Sequence, residues 1–124
     1  MLATFEAEQL IDSQSYEGID RIFTGSIPEE AKPDANSTDI LITESAGDMP
    51  EDYGNDDFVN LNRAVEVQIF YSVNTDFDIS EFEIALMHLF SHNGWRVETS
   101  RPHTQDPDTN QVTKVFYFAQ LKYI

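Results

Sequence analysis

Apolar and polar residues alternate most clearly between Leu61 and Val73. There Val65, Val67, Ile69, Tyr71 and Val73 interleave with Glu66, Gln68 and Ser72. A period of two predicts a strand with one buried face. Phe70 falls on the more polar face, which predicts that part of that face is covered. The last segment alternates too. Val115, Tyr117, Ala119, Leu121 and Tyr123 lie on one side, and Lys114, Phe116, Phe118, Gln120 and Lys122 on the other. Aromatic residues on both sides predict a central strand, or one that adds a contact surface. Shorter extended segments are expected at Ile19–Phe23, at Thr38–Glu44 (TDILITE) and at Trp95–Ser100, where Trp95 and Val97 face one way.

A period near 3.6 appears twice. Residues 2–14 carry an imperfect apolar stripe of Leu2, Phe5, Gln9, Leu10 and Ile11, with Glu6, Glu8 and Asp12 outward. The second helix starts near Asp78. Asp78 and Glu81 have capping-box spacing, and Ile79, Phe82, Leu86, Leu89 and Phe90 form its apolar face. Ile84 and Met87 lie off that stripe, and Asn93-Gly94 supplies the stop. Between these elements, residues 29–39 read as a polar loop. Residues 45–57 (SAGDMPEDYGNDD) read as a long acidic one, a length that points to function or disorder. HTQDPDTNQ reads as a turn-rich hairpin loop.

The order α-β-β-β-α-β-β predicts an α+β fold: an antiparallel sheet of four to five strands with two helices packed on one face. The 124 residues are expected to form a single domain, 1–124. Such a chain can bury roughly two-thirds of its unfolded surface.

Charge narrows the possible functions most. There are 23 acids against 7 lysines and arginines, a formal net charge of −16. Nucleic-acid binding needs a basic footprint, and anionic membranes repel such a surface. Three readings stay open: solubility, docking on a basic protein, or a surface past which DNA moves without sticking. The chain has no cysteine, so disulfides and thiolate metal sites are excluded. No stretch approaches the roughly 18 apolar residues of a membrane span. The opening MLATFEAEQLID is not read as a signal peptide.

Candidate chemistry is thin. His88 and His92 have the four-residue spacing of two helical zinc ligands, and His103 is a conceivable third. Leu89 after His88 breaks the zinc-protease motif. The acids between Asp48 and Asp57 do not follow the register of a calcium loop. No serine sits in a nucleophile elbow, and no phosphate loop occurs. The expectation is therefore no catalytic residue, no metal and no cofactor. Tyr53 and Phe58, set among Asp52, Asp56 and Asp57, suit a protein interface of aromatic anchors ringed by charge. Phe116 and Phe118, on the more polar side of the last strand, join them as candidate contacts.

Several segments together carry a likeness that spans most of the chain. They are TDILITES (Thr38 to Ser45), DYGNDDF (Asp52 to Phe58), VEVQIFY (Val65 to Tyr71), FEIALMHLFSHNGW (Phe82 to Trp95) and DPDTNQVTKVFYF (Asp106 to Phe118). In their order they resemble the small tail terminators, or tail-completion proteins, of long-tailed bacteriophages and prophages of lactic-acid bacteria. The resemblance implies a structural virion protein without enzymatic activity. It implies a homo-oligomeric ring, a hexamer, that caps the tail tube and takes part in head–tail joining. Its partners would be the tail tube protein and a head-completion or neck protein, with DNA passing through unbound. Its place would be the tail–head junction of the virion, and the host cytoplasm during assembly. A second reading is an acidic protein-binding module, a non-viral adaptor or inhibitor, docked on a basic partner.

Overall fold

Val65, Val67, Ile69 and Tyr71 are all essentially without exposure, as their alternation requires. The computed structural model describes residues 1–31 and 34–124. Residues 32 and 33, within the expected polar loop, lie outside the described residues. The elements are α1 (Ala3–Asp12), β1 (Arg21–Thr24), β2 (Asp39–Gly54), β3 (Asp57–Phe70), α2 (Ile79–Ser91), β4 (Trp95–Ser100), β5 (Thr104–Gln105) and β6 (Val112–Tyr123). They form an α+β fold with one six-stranded sheet, in the order β1-β2-β3-β6-β4 with β5 on β6.

The strand count exceeds the four to five expected, because the HTQ segment adds the short β5. The sheet is also not wholly antiparallel. β1 pairs with β2 in parallel, from Arg21 opposite Asp39 to Thr24 opposite Ile42. A parallel neighbour needs a crossover of about a dozen residues or more. The segment 25–38 supplies it.

One sheet face carries Ile40, Ile42, Val65, Val67, Ile69, Phe116 and Phe118, all fully buried in the same cluster as both helices. α2 contributes Phe82, Leu86 and Phe90, with the Phe90 ring stacked 4.0 Å from that of Phe118. Asp78 caps this helix as its spacing predicts, accepting the Glu81 backbone N–H at 3.1 Å. α1 turns a different side inward from the one expected. Ala3, Thr4, Ala7 and Ile11 are buried, while Leu2 and Phe5 are exposed. The small side chains let the helix lie close to the sheet. Leu2 and Phe5 instead border a groove with Thr24, Gly25, Thr43 and Glu44. At the other end of the core, Tyr16, Tyr71, Phe77 and Phe82 pack edge to face or tilted. Gly18, at φ 90°, makes room there: a Cβ would stand 2.7 Å from the Phe77 ring.

The largest departure from expectation is at residues 45–57, which do not form a loop. β2 and β3 continue as a hairpin to Gly54 and Asp57. The turn between them has two residues, Asn55 (φ 52°) and Asp56 (φ 67°). Positive φ at both is the requirement of a type I′ hairpin turn, and Asn and Asp tolerate it best after glycine. β6 runs beside β3 as far as Tyr123 opposite Asn60. The sheet therefore extends beyond the helices as a three-stranded limb with a two-stranded tip.

Candidate functional site

The limb departs from regular pairing where it leaves the core. Ala46 faces Ala64 and Met49 faces Asn62, with register shifts on both sides of Ala46. Each shift inserts one extra residue into β2, a bulge that bends and twists the strand. Asp48 lies in this stretch and reaches across to Arg63 of β3. The Arg63 Nε and one terminal nitrogen donate to the two Asp48 carboxylate oxygens at 3.0 and 2.9 Å. Its other terminal nitrogen donates to Glu6 of α1 at 3.1 Å, and the Met1 carbonyl accepts at 3.0 Å. Lys122 of β6 also donates to Glu6.

One guanidinium thus ties the start of α1, the bulge in β2 and strand β3 together, with β6 joined through Lys122. Arg63 is only 3 % exposed, and its partners balance its charge. Burial pulls its pKa down, but the Asp48 hydrogen bonds and the Asp48 and Glu6 charges outweigh that and leave it raised. Arginine is suited to this position because its planar fork can serve three acceptors at once.

Beyond this brace the limb is acidic and aromatic. Asp52 holds a positive φ of 56° and accepts from the Asn60 side chain at 2.5 Å. Tyr53 and Phe58 are paired across the hairpin with rings 6.3 Å apart, and Tyr53 is 70 % exposed. Tyr123 and Ile124 are exposed beside them, with the Ile124 N–H bonded to the Val59 carbonyl. Asp56 and Asp57 are exposed at the turn. The structure therefore brings Asp52, Tyr53, Asp56, Asp57 and Phe58 together at one tip. Phe116 and Phe118 do not join them. Both are fully buried on the helix-covered face of β6, so they belong to the core and not to a surface.

The histidines are distributed differently from a metal centre. His88 and His92 stack on the exposed side of α2 with ring centroids 5.4 Å apart. His103 instead contacts Glu83, its Nε2 2.8 and 3.0 Å from the two carboxylate oxygens. Glu83 is buried and also accepts the Tyr71 hydroxyl at 2.7 Å. Burial, then the Glu83 hydrogen bond and charge, push the Tyr71 pKa far above its ordinary value. This trio fastens the 101–103 connection and the end of β3 to α2. Among the described residues, no group of three or more His, Asp or Glu is placed to hold a metal ion. No helix among them is long and apolar enough to cross a membrane.

Arg63 and Glu83 were both readable as anomalies. Arg63 is in phase with Val65, Val67 and Ile69, so a period of two turns it toward the core. Glu83 is three and seven residues before Leu86 and Phe90, which puts it on the buried stripe of α2.

Residues 2–122 match the family described as protein of unknown function (DUF806). No curated protein matches the chain at a significant level.

Two outcomes test this geometry. Replacing Arg63 by Met leaves Asp48 without its cation and Glu6 with Lys122 alone. The expected loss of unfolding free energy is about 3 kcal/mol, the low end for a broken buried pair, because Asp48 keeps 40 % of its side-chain surface. Chemical denaturation measures it, and a loss under about 1 kcal/mol would reduce the cluster to a surface ion pair. The second concerns Tyr71. Its folded pKa lies above the unfolded value of about 10, so its contribution is complete below that pH and is lost above it. Stability is expected to fall above pH ~10 by up to about 1.4 kcal/mol per pH unit from this group. Tyr71→Phe should flatten that part of the profile. An unchanged profile would contradict the assignment.

Proposed function

We propose that this chain, which belongs to the DUF806 family, is a structural virion assembly protein: a phage tail terminator that caps the tail tube as a ring and joins it to the head. The observation that carries this reading is the limb. A core that folds through β3, β6 and two helices gains little from extending three strands past the helices. The chain nevertheless buries an arginine to hold that extension in place and puts an exposed tyrosine and several acids at its end. Aromatic anchors on a preorganised element reduce the ordering cost of association, which suits an assembly contact. The likeness of the five segments to tail terminators supplies the specific assembly.

Charge supports the same reading. Six copies would carry a formal −96, six times −16. Such a ring repels the DNA that passes through it and does not retain it. The same charge opposes ring closure at low ionic strength, where screening is weak. In this reading the chain has no catalytic role and no cofactor. Its partners are copies of itself, the tail tube protein and a head-completion or neck protein.

Sedimentation across ionic strength, paired with electron microscopy, tests the proposal. Weak self-association is expected at about 0.01 M salt, and ring-shaped particles at about 0.15 M salt or with added divalent cations. A tight oligomer that salt loosens would contradict the charge argument. A monomer under all conditions that captures one basic host protein would replace this reading with an acidic adaptor or inhibitor.

A further inference from the structure

We infer that the limb tip of one copy docks on the β4 border of a second copy, through its tyrosines and aspartates against Arg96 and Arg101. The inference rests on the assembly reading above and names the surfaces that reading leaves open.

Positive charge is scarce on this molecule and mostly engaged. Of the seven lysines and arginines, Arg63 and Lys114 are buried, Arg21 is bonded to Asp39 and Lys122 to Glu6. Lys32 lies outside the described residues. Arg96 and Arg101 are the exposed guanidiniums among the described residues. Arg96 has a single 3.6 Å contact with Glu98, in which both side chains are about half exposed, so the pair is weak. Arg101 lies over the Tyr117 ring at 5.3 Å.

Both arginines sit on the sheet face that carries no helix. Arg96 faces Ala119 and Arg101 donates its N–H to Val115, residues that alternate with the buried Phe116 and Phe118. Tyr53, Phe58 and Tyr123 belong to that same face by register. The acidic aromatic patch and the basic patch therefore share one face but stand at opposite borders of it, on β2–β3 and on β4.

Within one copy they cannot meet. Along β3, Phe58 and the residues level with Arg96 and Arg101 are separated by six and ten positions (Ala64 and Gln68). At about 3.3 Å per residue that is roughly 20–33 Å. Between copies they are complementary. Asp56 and Asp57 match the guanidinium charge, and Tyr53 and Tyr123 offer ring faces for it. In an arginine–tyrosine–carboxylate contact the charges are closer than the roughly 8 Å Debye length at about 0.15 M salt, so salt screens it less than the long-range repulsion of two chains of net charge −16.

Addition of a strand is disfavoured at both borders. The outer edge of the limb carries Pro50, the two register shifts and several acids, and β4 has a shift between Val97 and Thr99. These features block edge-to-edge pairing, so the contact uses side chains.

Two surface variants test it by sedimentation velocity at about 0.15 M salt. One is Tyr53→Ser with Asp56→Asn and Asp57→Asn. The other is Arg96→Gln with Arg101→Gln. Each alone should weaken self-association at least tenfold while leaving the circular dichroism spectrum and melting temperature near wild type. A one-to-one mixture should form a heterodimer and nothing larger, because one variant keeps its β4 border and the other keeps its limb. Association of either variant as in the wild type, or a mixture that stays monomeric, overturns the contact. A wild-type monomer that still binds the end of a tail tube overturns the contact but leaves the assembly reading standing. A wild-type monomer that binds no tube end removes both.

Discussion

The Arg63 guanidinium is the point on which the outer half of this molecule depends. Three pieces that are far apart in sequence converge on it: Met1 and Glu6, Asp48, and the strand from which Arg63 itself projects. Without that charge, the bulged stretch of β2 would present Asp48 to solvent with no counter-charge, and Glu6 at the start of α1 would be left with Lys122 alone. A buried arginine is a poor source of net stability, because desolvation offsets much of what its ion pairs return. It is better understood as fixing geometry. The ion pair favours the bulge conformation that delivers Asp48 to the guanidinium fork, and a bulge at that point bends the limb where it leaves the core.

Much of the core was legible because its signals are local. The alternation from Val65 to Tyr71, the Asp78 cap and the Phe82-Leu86-Phe90 stripe each depend on residues close in sequence, and all take the conformations expected. The misread parts are non-local or depend on backbone conformation. Residues 45–57 look like a loop because Gly47, Pro50 and Gly54 have low strand propensity. What makes them strand is pairing with β3, which β6 supports on its other side as far as Asn60. Asn55-Asp56 was the available hairpin signal, weaker than Asn-Gly but of the same kind. The parallel β1–β2 pair follows from a crossover that sequence patterning does not orient.

The candidate interface was half legible for a related reason. Tyr53, Phe58 and the neighbouring aspartates could be picked out as aromatic anchors among charges, and the hairpin gathers them at one tip. Phe116 and Phe118 share their side of the strand with Lys114 and Lys122, so the pattern does not mark that side as core. Both lysines are in fact accommodated at the margins of the core. Lys114 donates to the Arg101 carbonyl and Lys122 to Glu6. Long stems with satisfied ammonium groups can sit on a buried face, so two lysines at its ends did not make the face polar.

The limb is a preformed element of the free chain and not a loop that orders on contact. Amide hydrogen exchange of the isolated protein measures this directly. The β2–β3 amides between Met49 and Leu61 are paired across the hairpin. The cross-strand hydrogen-bonded ones are expected to exchange at least about a hundredfold more slowly than unstructured peptide, with protection falling when Arg63 is replaced by Met. Exchange of these amides at the unstructured rate, while β3 residues Val65–Ile69 stay protected, would contradict it.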